Sequence, residues 1–477
     1  MRVNWIEIFL LVYLGTVLFL RLRPMVRGTN FRGTEWPVGR EDVELFHDVS
    51  WWEGNERKCT QSISREIFRM IERAEKFLLI DMFLLTPNLE GSPDDEKYLP
   101  VTRQAVKLLV RKKKERPDMP VYFITDPVNG AYGTFEPEAL AVLRMAGVKV
   151  IVTDIEKLRD GNYLYSALWL LFIKWFGVGK NGWIPHPMED VDKKVTVRAF
   201  AKALRAKANH RKVVIADDGG EWFTLVTSMN LHESSCWHSN VAVKIRGRIA
   251  EDALRTEKDV AVLSKTRIDY DLVFPERRKA QADTGSRVQL LTEAKIRQRI
   301  LEDFAEIVPG TRIAMTTLYL SDPDIHKALI DAARQGCDVE VVLDNNSEAF
   351  GQPKLGLPNQ ITAQKLLKRS GGRIRVRMAR SRHEQLHAKM LFFSRPDLFI
   401  LYAGSANFTT RNIGGFTLET NVRAEGRPGD DLAKDAEIFF NLLGADKFSY
   451  PVDRKPKFYW LKAFLYNFQQ VFRLTTY

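Results

Sequence analysis

Two stretches of the chain carry the same reactive residue types at the same spacing. Asn209 to Asn230 reads NHRKVVIADDGGEWFTLVTSMN, and Leu386 to Asn407 reads LHAKMLFFSRPDLFILYAGSAN. Each opens with His-x-Lys, runs through an apolar segment, crosses a polar turn and closes a second apolar run with Ser-x-Asn. The serine follows the histidine by 18 residues in both. Successive side chains of a strand alternate faces, so His210 and Lys212 point the same way, as do His387 and Lys389. Ser228 and Asn230, and likewise Ser405 and Asn407, fall on the paired strand beside them. One copy thus gathers an imidazole, an ammonium, a hydroxyl and an amide on one surface. That set suits a phosphodiester: imidazole can attack phosphorus or deliver a proton, while Lys, Ser and Asn hold the non-bridging oxygens. Two copies supply two imidazoles, one to attack and one to protonate the leaving oxygen, chemistry that needs no metal and no other cofactor.

His210, Lys212 and Asp217 fit the pattern HxKxxxxD, and Gly404, Ser405 and Asn407 fit GSxN. On these residues the chain resembles the phospholipase D superfamily, closest in type to bacterial cardiolipin synthases and phosphatidyltransferase-like proteins. The resemblance implies an α/β fold of two similar lobes about a pseudo-two-fold axis, each a mixed sheet flanked by helices, with the site between them. It implies a covalent phosphohistidine resolved by water or an alcohol. His210 would be the nucleophile and His387 the general acid and then base, with the reverse assignment open. Lys212, Lys389, Ser228, Asn230, Ser405 and Asn407 would bind the phosphoryl group, and Asp217 would support its own motif.

The chain also departs from that pattern. Ser394 stands where the second copy would carry Asp, and the first copy reads Thr227-Ser228-Met229-Asn230 in place of GSxN. A Glu two residues past a later Asn is missing in both copies, where Ala242 and Arg423 stand; Glu419 is the candidate to take that role. These gaps concern the group that orients each imidazole.

A competing motif overlaps the second copy. His383, Glu384 and His387 read HExxH, which on a helix would supply two zinc ligands and a general base. RIRVRMARSR before it and KMLFF after it have strand composition, so a loop is expected there and no metal site.

The elements that position these residues follow from periodicity. Ile63, Ile67, Met70, Ile71 and Ala74 trace a helical stripe before the strand-like KFLLIDMFLL; Ile296, Ile300, Phe304 and Ile307 do so before TRIAMTTLYL. Each half continues with helix, a strand ending in Asp (Asp126, Asp344), helix and strand before its His-x-Lys, which indicates a duplicated α/β unit. The expected organisation is a membrane anchor over 1–23, a connector over 24–55, a first lobe over 56–273, a linker over 274–288, a second lobe over 289–450 and an amphipathic C-terminal helix over 451–477. Between the Asp-ended strand and the histidine the halves differ, by 84 residues against 43. The excess includes a hydrophobic, Trp-rich insertion over 161–187, expected to dip into lipid.

The chain has 477 residues, of which 45% are hydrophobic and 28% charged, so it is long enough for two cored domains and excludes the disordered class. A net charge of +12 calls for an anionic partner: nucleic acid, an acidic membrane surface or a phosphate-bearing substrate. Cys59, Cys236 and Cys337 are too few and too scattered for a disulfide framework or zinc knuckle. The run Ile8–Leu20, flanked by Trp5, Arg21 and Arg23, reads as an uncleaved anchor, and the excess of downstream arginines sets the body on the cytoplasmic side of a bacterial inner membrane. The expectation is therefore a membrane-associated phosphodiesterase or phosphatidyltransferase acting on phospholipids. Its rivals are a membrane-tethered nuclease of the same superfamily, with nucleic acid as partner, and an inactive lipid-binding scaffold.

Overall fold

The structure, a computed structural model, describes residues 4–85, 100–184, 194–274, 285–349 and 352–472. Two large mixed sheets dominate it. The first runs, edge to edge, Val43–Asp48, Asn240–Arg246, Glu221–Thr227, Lys212–Asp218, Leu78–Met82, Val121–Thr125 and Lys149–Val152. The second runs Arg287–Thr292, Thr420–Gly426, Phe399–Gly404, Met390–Ser394, Arg312–Thr317, Asp338–Leu343 and Ile374–Ala379, with Trp36–Pro37 and Ser449–Pro451 added at its two edges. Seven strands correspond in order and direction. In each lobe the strand after His-x-Lys is antiparallel to both neighbours, while the last three strands are parallel and joined by helices.

Strand alternation assembles the core. Val213 and Ile215 face the other lobe, where they share a cluster with Phe392, Leu401, Ala403 and Val422. Their neighbours Val214 and Ala216 face the helices of their own lobe, among them Ser62–Arg73 and Val101–Glu115. Leu391, Phe393 and Tyr402 do the same in the second lobe. Both faces of each central strand are thus dry, which is why these strands are apolar almost throughout in sequence.

The segment expected as an irregular connector contributes strands to both lobes. Val43–Asp48 forms the edge of the first sheet against Asn240–Arg246, and Trp36–Pro37 pairs with Val288 and Arg287 in the second. Alternating Val43 and Leu45 turn inward, enough apolar burial for an edge strand despite the charges between them. Trp51 packs edge-on against Phe448 and Trp52 against His383.

The N-terminal helix, Trp5–Leu22, is capped by the Asn4 side chain, which accepts from the Ile6 N–H, and is long and apolar enough to cross a membrane. In the insertion a helix over Tyr163–Leu168 continues through looser and tighter turns to Phe176, and beyond it Val197–Ala203 forms a second short helix. Residues 185–187 of the insertion, 275–284 of the linker and 473–477 of the tail lie outside the described residues. The tail forms a helix over Tyr459–Phe472, which rests on the helix Asn359–Ser370 with Lys365 Nζ over the Tyr466 ring.

Candidate active site

The two His-x-Lys segments meet where the lobes join. The His210 N–H donates to Leu418 O at 2.9 Å, and the His387 N–H donates to Ser239 O at 2.8 Å. Each histidine is therefore stitched by its backbone to the opposite lobe. The residue preceding each is pinned by an Asp-ended strand of its own lobe: Asp126 Oδ2 accepts from Asn209 N and Asp344 Oδ2 from Leu386 N, both at 2.7 Å. Burial pushes Asp126 up to about 7 and Asp344 up to about 6.

The partners of the imidazoles come from the opposite lobe and differ chemically. His210 Nδ1 lies 3.0 Å from a carboxylate oxygen of Glu419, and His387 Nδ1 lies 3.0 Å from Asn240 Oδ1. Strand register makes Glu419 and Asn240 equivalent. Ser405 N donates to Thr420 O and Ser228 N to Val241 O, and each serine hydroxyl accepts the N–H returned by the same residue. Ser405 Oγ also donates to Glu419, and Ser228 Oγ to Asn240 Oδ1. The Asn240 amide is oriented by its Nδ2, which donates to Ser235 O and His238 O, so its oxygen faces His387. With both Nδ1 atoms acting as donors, both Nε2 atoms carry a lone pair.

Lys212 and Lys389 are fully buried and each donates to the carbonyl of its own histidine. Burial pulls Lys212 down to about 7, although Glu419, Asp81 and Asp126 pull the other way. Lys389 is lowered by burial and then by Lys212, and His387 by burial and then by Lys389, His238, Lys212 and His210. Burial likewise lowers His210, to about 4, against the pull of Glu419. Burial alone would raise Glu419; His210 and Lys212 outweigh it and hold the carboxyl below its ordinary range. These groups form one electrostatic unit in which burial disfavours the charged forms of both lysines and both imidazoles, a cost that a bound anion would offset. The side-chain oxygens of Asn230 and Asn407 are buried without a hydrogen-bond partner.

The sequence departures resolve locally. A Cβ on Gly404 would lie 2.4 Å from Thr420 O, so this close approach requires glycine. Thr227, at the equivalent position, turns its hydroxyl to Val241 O and accepts the Met229 N–H; the second lobe holds Ala406 N with Asn421 Oδ1 instead. Asp217 is not brought to the histidines, contrary to its expected place in the catalytic set. It lies five residues beyond Lys212, roughly 17 Å along the strand, where one carboxylate oxygen accepts the N–H groups of Glu75, Lys76 and Phe77 at 3.2, 2.8 and 3.0 Å. Ser394 occupies the matching far end of its strand, opposite Arg312. Residues 383–387 are not helical, and Glu384 accepts from Trp52 Nε1 at 2.7 Å, so HExxH does not assemble a zinc site. Among the described residues no His, Cys, Asp and Glu group has metal-holding geometry.

Two contributors were missed in the sequence reading. Asn240 is one. Arg211, fully buried between His210 and Lys212, is the other: its guanidinium reaches Glu257, Thr29 O and Glu293, and Glu293 also accepts the backbone N–H of Glu419.

Residues 308–442 match the family model described as the cardiolipin synthase, phospholipase D-like domain. No curated protein matches the chain in sequence. Among solved structures, the crystal structure of phosphatidylserine synthase from Haemophilus influenzae Rd KW20 is similar at 12% identity and a TM-score of 0.58, over 96% of this chain and 98% of that one. Polyphosphate kinase from Porphyromonas gingivalis matches at 11% identity and a TM-score of 0.49, over 91% of this chain and 53% of that one. Nuc, a phospholipase D family member from Salmonella typhimurium, matches at 22% identity and a TM-score of 0.28, over 35% of this chain and 98% of that one. The chain has the phospholipase D-like fold, with two such lobes. Residues 308–442, the segment similar to the cardiolipin synthase, phospholipase D-like domain, lie in its second lobe.

Proposed function

We propose that this chain is a phosphatidyltransferase or phosphodiesterase that acts on phospholipids through a phosphohistidine on His210. The observation that carries the reading is the pair of imidazoles, His387 buried and His210 partly buried, each held at Nδ1 from the opposite lobe so that Nε2 is free, with two buried lysines beside them. His210 Nε2 attacks phosphorus, and the P–O bond to the leaving alcohol breaks as His387, protonated when the anionic substrate enters, gives its Nε2 proton to the departing oxygen. His387 then takes a proton from water or an incoming hydroxyl, which attacks phosphorus and releases His210. Lys212, Lys389, Asn230 and Asn407 hold the non-bridging oxygens, and Ser228 and Ser405 fix the orienting groups.

The unequal partners support this assignment over its reverse. A phosphorylated imidazole carries positive charge that the Glu419 carboxylate stabilises, whereas an imidazolium backed only by the neutral Asn240 gives up its proton readily. The match of the second lobe to the cardiolipin synthase domain and the apolar N-terminal helix support a phospholipid substrate. The anchor, the cytoplasmic placement of the body and the choice of acceptor hydroxyl belong to the same proposal.

The test is a mass-spectrometric lipid assay with purified protein in phosphatidylglycerol vesicles, with and without ethanol or glycerol, beside His210→Ala. Cardiolipin or phosphatidylethanol that disappears in the variant establishes phosphatidyl transfer through His210; phosphatidic acid alone establishes hydrolysis. No change in this or other phospholipids, together with cleavage of a nucleic acid, would replace this reading with the nuclease that the net positive charge also suits. Silence on both would leave the scaffold.

A further inference from the structure

The anchor helix, which ends at Leu22, and the insertion helix, which begins at Tyr163, lie against each other although 141 or more residues apart in sequence. Tyr13 Oη donates to Leu164 O at 3.1 Å, and the Phe9 and Phe172 rings lie 5.9 Å apart. At the base of the pair Arg23 donates to Glu156 O at 3.1 Å and reaches Asp160, which also binds Arg205 and Lys207. The two elements therefore rise together from one charged root. Phe9 stands 14 residues beyond Arg23, or roughly 21 Å along a helix, so the insertion climbs with the anchor for most of the anchor's length.

What they expose is apolar. Beyond the contact with Phe9, Phe172, Trp175, Phe176 and Trp183 are 50%, 76%, 69% and 69% accessible, and most of the anchor's surface is open as well. Side chains of this kind scattered singly need no explanation, but a continuous patch on two packed helices does. Cations flank it: Arg21 and Arg23 with the Lys202 and Arg205 cluster at the root, Lys174 over the Trp175 ring, and Arg198, which donates to Phe176 O. Trp5, Trp175 and Trp183 are the exposed tryptophans of these elements, in keeping with the aromatic belt of a lipid–water boundary.

We infer that the insertion is a second lipid-embedded element, a re-entrant helix seated along the anchor within the bilayer. The geometry leaves little alternative for its depth: any bilayer that accommodates Phe9 accommodates Phe172 beside it. The consequence reaches the site through the chain itself. The same insertion returns through Arg205 and Lys207 to Asn209, and Arg159 at its start lies over the Phe416 ring, close to the Leu418–Glu419 segment that backs His210. The membrane thus grips the chain on both flanks of the Glu419-backed half-site.

The test uses the full chain in a Cys59→Ser background, reconstituted in phosphatidylcholine–phosphatidylglycerol vesicles, with an environment-sensitive fluorophore on Phe176→Cys or, as a control, on Met145→Cys in the first-lobe helix Glu138–Met145. Met145 is 88% accessible. The expected result is blue-shifted emission at position 176, quenched by lipids brominated on their acyl chains, with neither effect at 145. Emission at 176 that is water-like and open to aqueous iodide would overturn the inference. So would a shielded fluorophore that brominated lipid leaves unquenched, which would show a second copy of the chain on the patch. A second arm, which rests on the proposed phospholipid activity, compares the Trp175→Asp, Phe176→Asp double variant with the wild type. Turnover of long-chain lipid in vesicles is expected to fall about tenfold or more, equivalent to ~1.4 kcal/mol, while a short-chain monomeric phospholipid is turned over as before. Equal loss on both would overturn the inference. Absence of turnover in the wild type would fault the activity alone, since the fluorescence arm needs none.

Discussion

The Glu419-backed half-site around His210 and the Asn240-backed half-site around His387 share nearly every backbone feature. Both have an aspartate pinning the residue before the histidine, a lysine on the histidine's own carbonyl, a serine bridging to the orienting group and a backbone bond across the lobe boundary. At Nδ1 they differ in the partner, a carboxylate against an amide at the same 3.0 Å, and beside the rings Phe83 packs on His210 and His238 on His387. Duplication has kept the scaffold while the charge beside each ring has diverged. In the proposed reaction two copies of one motif would hold opposite roles: the backbone geometry is common property, and the group at Nδ1 tells the two rings apart.

The sharpest way to break the comparison is to remove one ring at a time. His387→Ala is expected to lower turnover of a phospholipid by roughly 10³–10⁴, the upper range for proton transfer. It should still give a burst of product from a 4-nitrophenyl phosphodiester, whose leaving group needs no proton; His210→Ala should give no burst. Rapid-quench kinetics reads both, and a burst in the His210 variant would reverse the assignment.

Lys212→Met should lose roughly 10²–10³ in turnover and yet gain stability. The folded-state value of about 7 lies below the ordinary 10.5. Below pH 7 the buried ammonium is charged and its full desolvation cost is present. Between 7 and 10.5 the unfolded chain holds a proton that the folded chain has shed, so wild-type stability rises with pH by up to ~1.4 kcal/mol per unit. The methionine variant should lack that contribution and exceed the wild type most below pH 7, as melting temperatures across pH will show.

Exchanging the orienting groups sharpens the comparison further. Glu419→Gln is expected to cost about 10- to 100-fold in turnover, as losses of a hydrogen-bonded supporting group commonly do. Asn240→Asp should change the maximal rate less than tenfold but move the alkaline limb of the pH–rate profile upward, because a carboxylate keeps His387 protonated to higher pH. An unmoved limb would detach Asn240 from the proton-transfer step.

The smallest effect on chemistry is expected at Asp217→Ala. Losing an acceptor for three backbone N–H groups should destabilise the first lobe by ~1.5–3 kcal/mol, measured by denaturant unfolding. Turnover per folded molecule should stay within about twofold.

Much of this was legible in the chain. The order of strands and helices, the doubled His-x-Lys and Ser-x-Asn, and the Asp-ended strands were all periodic or punctuated signals within one lobe. Even the exclusion of Asp217 was available from alternation, since a residue five places beyond Lys212 points to the opposite face. The pairings of Glu419 with His210 and Asn240 with His387 were not legible in that way. They join residues 209 and 147 positions apart, on different lobes, and are fixed by the pseudo-two-fold rather than by any local pattern. The edge strand Val43–Asp48 was obscured because three of its six residues are charged or histidine, a composition that only an edge tolerates.

The N-terminal strap has a consequence for how the molecule is made. Trp36–Pro37 is made well before the strand it pairs with, which begins at Arg287, and Thr29 O accepts from Arg211, placed between His210 and Lys212 of the first lobe. This segment must wait for the second lobe before it is secured, a long-range dependence of the kind that slows folding. Nor are the two lobes severable: cleavage between them would leave the second half without its edge pairing and both imidazoles without their partners, so the two halves stand or fall as one piece.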